Sequence, residues 1–314
     1  MSKNLATLIG LSAILQWSSI VGLLKKISFS LGAELAVLLM YTLSTCILLI
    51  FFKIPNLKLI SKKYLIFSTL LFVIYELCFS YAIALAQTAQ QAIEVSLVNY
   101  LWPGLTVAML ILFKEIKFNV FVIVGLAISL SGIILIQTGQ GALTWSNILS
   151  NILENPISYI LALVGATLWS LYCVITKKYS DGHNPISFFF VSISIVLWSK
   201  YLWSHGLSLN AIPQVELTTI GLLGIVSVVM ALGYAAWNIG IIKGNITILV
   251  TLSYFSPVIS TLISMFILQT NLPTEFWYGV MLVTSGSLVC WISTNWQQLK
   301  EKLLAKLTKS NSFL

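Results

Sequence analysis

The sequence predicts an all-α integral membrane protein with ten transmembrane helices, arranged as two inverted repeats of five helices each. Of the 314 residues, 58% are hydrophobic and only 8% are charged, whereas a soluble domain has about 45–50% apolar residues. The apolar residues form ten segments, each close to the roughly 20 residues that an α-helix needs to cross a bilayer. A set of residues also recurs 152 to 154 positions further along the chain.

Short polar loops separate the ten apolar segments. The segments lie at 5–24, 34–52, 65–86, 91–113, 118–138, 157–176, 185–203, 217–240, 246–268 and 275–294. The first segment exceeds the apolar stretch of a signal peptide, which is about 7–15 residues, and it ends at Lys25 and Lys26 without a cleavage site. We therefore count it as the first transmembrane helix.

The distribution of lysines predicts the orientation. All 17 basic residues are lysines, and the formal net charge is +8. With a cytoplasmic N-terminus, fourteen lysines lie in inside loops and tails, and only Lys25, Lys26 and Lys200 lie outside. Because lysines accumulate on the cytoplasmic side, both termini are predicted to be cytoplasmic.

Three groups of residues define an internal repeat. Trp17, Ser18, Lys25, Lys26 and Ser28 match residues 152 positions later, whereas Tyr100, Pro103, Gly125, Ser131 and Gly132 match residues 154 positions later. Each copy holds five helices, so the second copy is inverted relative to the first, as in many transporters. We predict a first repeat at 1–138, an external linker at 139–156, a second repeat at 157–294 and a basic cytoplasmic tail at 295–314.

Two apolar segments contain a proline at repeat-related positions. Pro103 has no N–H, so the carbonyl of Asn99 loses its helical partner, and Pro257 has the same effect on Ser253. Proline also kinks membrane helices for shape alone. Interrupted helices in matching positions of inverted halves nevertheless indicate a transport site, and both interruptions adjoin polar and aromatic residues.

Glu76 lies near the middle of its segment, where an ionised carboxylate costs at least about 2.5–3.5 kcal/mol unless it is hydrated or paired. We expect it to be protonated, hydrated by a cavity, or both. Two interpretations stay open: a proton-sensitive or amine-binding residue, and a carboxyl group hydrogen-bonded to a neighbouring helix. Glu94 lies nearer a helix end, and we interpret it as structural.

The candidate substrate contacts are polar and aromatic residues deep in the segments or beside the interruptions. Aromatic rings stack on planar ligands and attract cations, whereas tryptophans at span ends belong to interfacial belts. The predicted substrate-binding residues are Tyr75, Glu76, Phe79, Asn99, Tyr100, Trp102, Trp169, Tyr172, Trp237, Asn238 and Tyr254.

Gly233 and Gly240 lie about two turns apart on one predicted helix. Small residues let membrane helices pack closely, and the same two positions let a helix flex. We therefore predict gating positions at Gly233 and Gly240, in addition to Pro103 and Pro257.

The sequence contains no catalytic or metal-binding constellation. His183 and His205 fall in loops on opposite sides of the membrane, and the four cysteines lie in apolar segments without metal or disulfide spacing. We predict no enzyme activity, no cofactor and no metal. Because Arg, the preferred residue for phosphate recognition, is absent, a nucleic-acid partner is not expected.

Several runs of the sequence resemble the EamA branch of the drug/metabolite transporter superfamily. They are ATLIGLSAILQWS (6–18), YEL (75–77), QAIEVSLVNYLWPGLT (91–106), SYILALVGATLWSLYC (158–173), AAWNIGIIKGNITI (235–248), SYFSPVIS (253–260) and GSLVCW (286–291). The resemblance covers the ten-helix body but not the tail. It implies a basket-like bundle that exports aromatic and some other neutral amino acids across the bacterial inner membrane.

The predicted function is therefore amino acid export by alternating access. The alternative is a transporter of broader specificity for metabolites or hydrophobic cations, and a channel or receptor would tolerate the interrupted helices equally well. The expected partners are the small-molecule substrate and the lipid bilayer, and a ten-helix body can be complete as a monomer.

Overall fold

The computed structural model describes residues 1–114, 120–137, 153–181, 183–206, 215–244, 249, 252–253 and 255–311. The regular elements assigned within these ranges are eleven α-helices and one short 3₁₀ helix. Seven helices in the described part of the chain are long and apolar enough to cross a membrane, and two shorter apolar helices accompany them. The structure is thus that of a helical membrane protein.

Each α-helix overlaps one of the predicted segments, and the segment 91–113 holds two helices. They are α1 Lys3–Leu31, α2 Ala33–Phe52, the 3₁₀ helix Leu57–Leu59, α3 Lys62–Ala84, α4 Ala89–Asn99, α5 Trp102–Leu112, α6 Val120–Gln137, α7 Pro156–Tyr179, α8 Ile186–His205, α9 Leu217–Lys243, α10 Ser256–Leu268 and α11 Thr274–Asn311. Helix α11 extends well beyond its predicted end at residue 294, so most of the expected tail continues this helix. Most of the predicted linker 139–156 lies outside the described residues.

Polar residues fix the starts of several helices. Ser2 accepts a hydrogen bond from the amide of Leu5 at 3.3 Å, and Thr88 accepts one from the amide of Gln91 at 3.0 Å. Such N-cap bonds satisfy amides that have no partner within the helix. Pro156 lies in the first turn of α7, where its missing N–H costs nothing.

The end of α1 differs from the prediction. Lys25 and Lys26 were expected in an external loop, but α1 continues to Leu31 and Lys25 is only 3% exposed. The Lys25 ammonium donates hydrogen bonds to the carbonyls of Ala84, at 3.2 Å, and Ala86 at the end of α3. A cation is favoured there because the last carbonyls of a helix have no amide donor and carry partial negative charge.

Glycines permit the closest helix crossings. A Cβ atom at Gly125 of α6 would lie 2.6 Å from the carbonyl of Gly286 in α11, and one at Gly132 would lie 2.6 Å from the carbonyl of Gly279. Going from the first contact to the second, the residue number increases on α6 and decreases on α11, so the two helices are antiparallel. Backbones approach this closely only where side chains are absent or small.

The helix that contains Pro103 is divided into two. Helix α4 ends at Asn99, and α5 begins at Trp102 with Pro103 in its first turn. Between them, the amide of Leu101 donates to the carbonyl of Val98 at 3.2 Å, which is the tight bonding of a 3₁₀-like turn. Helix α10 likewise begins at Ser256, with Pro257 in its first turn.

Candidate functional site

Trp169 of α7 lies at the centre of a group of contacting rings. Its ring centroid is 4.7 Å from that of Tyr75 on α3 and 5.0 Å from that of Tyr172, one turn along α7. Trp102, at the start of α5, meets it edge-on at 6.3 Å. Phe79 stacks on Tyr75 at 6.1 Å. The tilted and edge-on geometries are those that aromatic pairs prefer.

The group continues through Tyr234 of α9 towards α1. The centroid of Tyr234 lies 6.4 Å from that of Trp169 and 5.2 Å from that of Trp17. Trp17 in turn lies 5.0 Å from Trp237. Further ring contacts extend to Phe189 and Phe190 of α8. We restrict the name aromatic cluster to nine of these connected rings: Trp17, Phe72, Tyr75, Phe79, Trp102, Trp169, Tyr172, Tyr234 and Trp237.

Glu76 is fully buried beside this cluster and has protein partners on two other helices. Tyr41 of α2 and Tyr234 of α9 each donate a hydrogen bond to one of its carboxyl oxygens. The Tyr41 hydroxyl also lies 3.0 Å from the hydroxyl of Ser80. Each oxygen of Glu76 therefore has a tyrosine donor, as in the hydrogen-bonded interpretation that the sequence left open.

Asn99, the last residue of α4, has a different environment. Its side chain is 4% exposed, and its Oδ1 atom accepts no hydrogen bond from the described residues. The Tyr75 hydroxyl is a neighbour of this side chain. A buried carbonyl oxygen without a donor is costly, so Asn99 is suited to accept a hydrogen bond from a ligand.

The backbone of the interruption is supported by α7. The Ser170 hydroxyl donates to the carbonyl of Trp102 at 2.9 Å and to that of Ala166 at 2.6 Å. Nearby, the Tyr159 hydroxyl of α7 donates to Glu94 at 3.0 Å, in agreement with a structural role for Glu94. These contacts join α4 and α5 to the helix that carries Trp169.

Tyr100 is an electrostatic neighbour of Tyr75, but within the described part of the chain no ring contact joins it to the aromatic cluster. It packs against apolar residues of α4, α10 and α11, among them Leu97 and Val280. Its hydroxyl faces those of Ser18 on α1 and Ser260 on α10, yet neither serine hydroxyl makes a regular hydrogen bond. Tyr100 therefore stays a predicted substrate contact, outside the set of contacting rings.

The predicted gating glycines lie in a continuous helix. Helix α9 runs without interruption through Gly233 and Gly240. A Cβ atom at Gly233 would lie 3.0 Å from Nε1 of Trp17, and one at Gly240 would lie 2.7 Å from the Cα atom of Gly10. Both positions therefore allow α1 and α9 to approach each other, which is the packing alternative.

Some residues of the candidate site were not predicted from the sequence, and two predicted residues are not described by the structure. Tyr254 and the side chain of Asn238 lie outside the described residues. Trp17, Phe72, Tyr234 and Tyr41 were not predicted as site residues. Trp17 had a signal, since it is the repeat counterpart of Trp169. Tyr41 had none, because nothing in an apolar segment marks one tyrosine as the partner of a distant glutamate.

A ring-lined site beside an interrupted membrane helix is typical of membrane transporters. The EamA-like transporter family matches residues 156–292. The chain is 40% identical over 296 residues, which are 94% of this chain and 99% of the relative, to the aromatic amino acid exporter YddG of Escherichia coli (strain K12). It is 39% identical, with the same coverage, to the aromatic amino acid exporter YddG of Salmonella typhimurium (strain 14028s / SGSC 2262).

The chain therefore belongs to the EamA-like transporter family, whose members are transporters rather than enzymes. A crystal structure of another protein matches 92% of this chain and 97% of its own, with a TM-score of 0.63 and 20% sequence identity. At that identity the likeness shows the fold alone.

Proposed function

We propose that the protein exports aromatic and other neutral amino acids across the bacterial inner membrane by alternating access. The observation that carries this proposal is the aromatic cluster, because it offers several partly exposed rings next to the unpartnered oxygen of Asn99. An aromatic side chain stacks on such rings, and an ammonium group donates to such an oxygen. The two relatives named above are exporters of aromatic amino acids.

The architecture of this exporter is ten transmembrane helices in two inverted repeats of five, at 1–138 and 157–294. Helices α6 and α11 support this architecture. They are antiparallel, and the glycines through which they meet are counterparts of one another in the internal repeat. The repeat pairs Gly125 with Gly279 and Gly132 with Gly286, so a two-fold axis between the halves relates the two contacts. Both termini are cytoplasmic in this arrangement.

The site residues take separate roles in this proposal. The substrate ring lies against Tyr75, Phe79, Trp102, Trp169, Tyr172 or Trp237, and its amino group donates to Asn99. Glu76 acts chiefly by joining α3 to α2 and α9. Alternating access requires the halves to move about the interruptions at Pro103 and Pro257, with Gly233 and Gly240 as the close contact between α1 and α9.

Efflux of hydrophobic cations is the competing function. The rings of the aromatic cluster attract cations as well as aromatic side chains, whereas the unpartnered oxygen of Asn99 accepts the hydrogen bonds that an ammonium group donates and a quaternary cation lacks. The arrangement therefore favours the amino acid over the cation.

Counterflow in proteoliposomes tests the function. We expect L-tryptophan-loaded vesicles to accumulate labelled L-tryptophan saturably, with competition by L-phenylalanine and much weaker competition by D-tryptophan. A cationic dye serves as the comparison substrate. Movement of the dye without exchange of amino acids would contradict the proposal and favour the cation transporter.

A further inference from the structure

Buried hydroxyl groups in these helices usually bond to the carbonyl one turn back in the same helix. Ser44 donates to Met40 at 2.7 Å, Ser227 to Leu223 at 2.7 Å and Thr284 to Val280 at 2.9 Å. This is the usual solution where water is excluded, because a hydroxyl without a partner is costly in hydrocarbon. Six buried serine and threonine hydroxyls depart from it and have no hydrogen-bond partner among the described residues. Two of them, Ser68 and Thr176, lie on α3 and α7, and the other four lie on α1 and α10: Ser18, Ser260, Thr261 and Ser264.

The internal repeat provides a direct comparison for Ser18. Its counterpart, 152 residues later, is Ser170. The Ser170 hydroxyl donates to two carbonyls, one of which belongs to the interrupted helix. Ser18 is also completely buried but donates to none. The two halves therefore differ at the position where each contacts the opposite half.

Three hydroxyls converge where α1, α10 and the interruption meet. Those of Ser18 and Ser260 face the hydroxyl of Tyr100, and both serines are at most 1% exposed. We call these three residues the hydroxyl cluster. Close packing is not a sufficient reason for it, because alanine packs equally well and leaves no polar group without a partner.

The start of α10 lies one turn before Ser260. The helix begins at Ser256, and its N-cap residue, Phe255, has no side-chain acceptor for the first amides. Ser260 lies in the second turn. The N-terminus of a helix carries partial positive charge, and interrupted helices of transporters direct such ends towards anionic groups of substrates.

We propose that the hydroxyl cluster binds the carboxylate of the transported amino acid, with Ser18, Tyr100 and Ser260 as hydrogen-bond donors. This inference rests on the proposed function and deepens it. Asn99 precedes Tyr100 in the chain, and its unpartnered Oδ1 atom is the acceptor that we assign to the amino group. The site therefore recognises the zwitterion that all α-amino acids share.

The test uses competitors that lack one charged group. Labelled L-tryptophan counterflow is measured in proteoliposomes against L-tryptophan, tryptamine, which has no carboxylate, and indole-3-propionate, which has no amino group. The variant is Ser260→Ala. The matched control is Ser227→Ala on α9, which removes a buried hydroxyl that bonds only to its own helix.

We expect Ser260→Ala to raise the half-inhibitory concentrations of L-tryptophan and indole-3-propionate about tenfold, as is typical for one hydrogen bond to a charged group. Tryptamine should inhibit the variant as well as it inhibits the parent. Asn99→Ala should show the reverse pattern: the half-inhibitory concentration of tryptamine should rise, and that of indole-3-propionate should stay the same. Ser227→Ala should change none of the three values.

Equal weakening of all three competitors by Ser260→Ala, or no change in any of them, would overturn the inference. A failure of the proposed function looks different, since the parent protein would then exchange no amino acid. In that case a second measurement tests whether the hydroxyl cluster binds a carboxylate. The thermal stabilisation by indole-3-propionate is compared between the detergent-purified parent and Ser260→Ala. Stabilisation of the parent alone supports the cluster, and equal stabilisation of both contradicts it.

Discussion

The aromatic cluster and the hydroxyl cluster both include residues beside the interruption between α4 and α5. They differ in how far their polar groups have hydrogen-bond partners within the protein. In the first, rings contact rings, and the adjacent Glu76 accepts hydrogen bonds from two tyrosines. In the second, Ser18 and Ser260 are about as deeply buried as Glu76 but have no hydrogen-bond partner in the part of the chain that the structure describes. The first region therefore contributes to the stability of the fold, whereas the second has bonding capacity left for a ligand.

This difference predicts that substitutions in the two regions change the stability of the fold to different extents. A substitution in the satisfied region removes interactions that exist without substrate, so it should lower the free energy of unfolding. A substitution in the unsatisfied region removes no such interaction, so the stability of the substrate-free protein should hardly change.

Trp169→Ala should have the largest effect, because the indole contacts Tyr75, Trp102, Tyr172 and Tyr234. We expect the free energy of unfolding to fall by about 3–5 kcal/mol and transport to fall severely as well. Thermal unfolding in detergent and counterflow measure the two effects. Trp203→Ala is the control, because the Trp203 side chain is 94% exposed; similar losses in both variants would remove the special role of the cluster.

Glu76→Ala should come next. It leaves the Tyr234 hydroxyl without its acceptor and creates a small cavity, while Tyr41 keeps Ser80 at 3.0 Å. We expect a loss of about 2–3 kcal/mol, measured as a lower midpoint of thermal unfolding. Glu76→Gln keeps an acceptor oxygen and should retain most of the stability. An alanine variant as stable as the parent would show that the tyrosines do not depend on Glu76.

The sequence predicted the aromatic side of this comparison much better than the hydroxyl side. Proline and tryptophan are conspicuous in an apolar segment, so Pro103, Trp102 and Trp169 could be identified from local chemistry. Serine is common in membrane helices and usually bonds to its own backbone. Whether Ser18 or Ser170 has a partner depends on which carbonyl the opposite half presents, and that is a property of the tertiary structure.

Lys25 shows the same limit in another way. Two adjacent lysines after an apolar segment indicate a loop. The orientation that the other lysines favour then placed this loop on the outside. The ammonium of Lys25 instead bonds to the last carbonyls of α3. The carbonyls that stabilise the buried ammonium lie 59 and 61 residues away in the sequence, so no local pattern could reveal them.

Thr45→Val tests a satisfied hydroxyl. The Thr45 hydroxyl bonds to the carbonyl of Phe190 at 2.9 Å and lies 2.8 Å from the hydroxyl of Ser194. These bonds join α2 to α8. We expect valine, which has nearly the same shape, to lower the free energy of unfolding by about 1 kcal/mol. Thermal unfolding measures the change, and an unchanged midpoint would mean that these bonds do not stabilise the fold.

Thr261→Val is the matched change on α10 and should have the smallest effect. Thr261 is 1% exposed and Thr45 is 7% exposed, but the Thr261 hydroxyl has no partner in the described structure. Valine therefore removes a buried polar group without removing a bond, and we expect a change within about 0.5 kcal/mol in either direction. The midpoints of the two threonine variants are compared under identical conditions. If Thr261→Val costs as much as Thr45→Val, the Thr261 hydroxyl is already hydrogen-bonded without substrate, and the contrast between the two threonines is wrong.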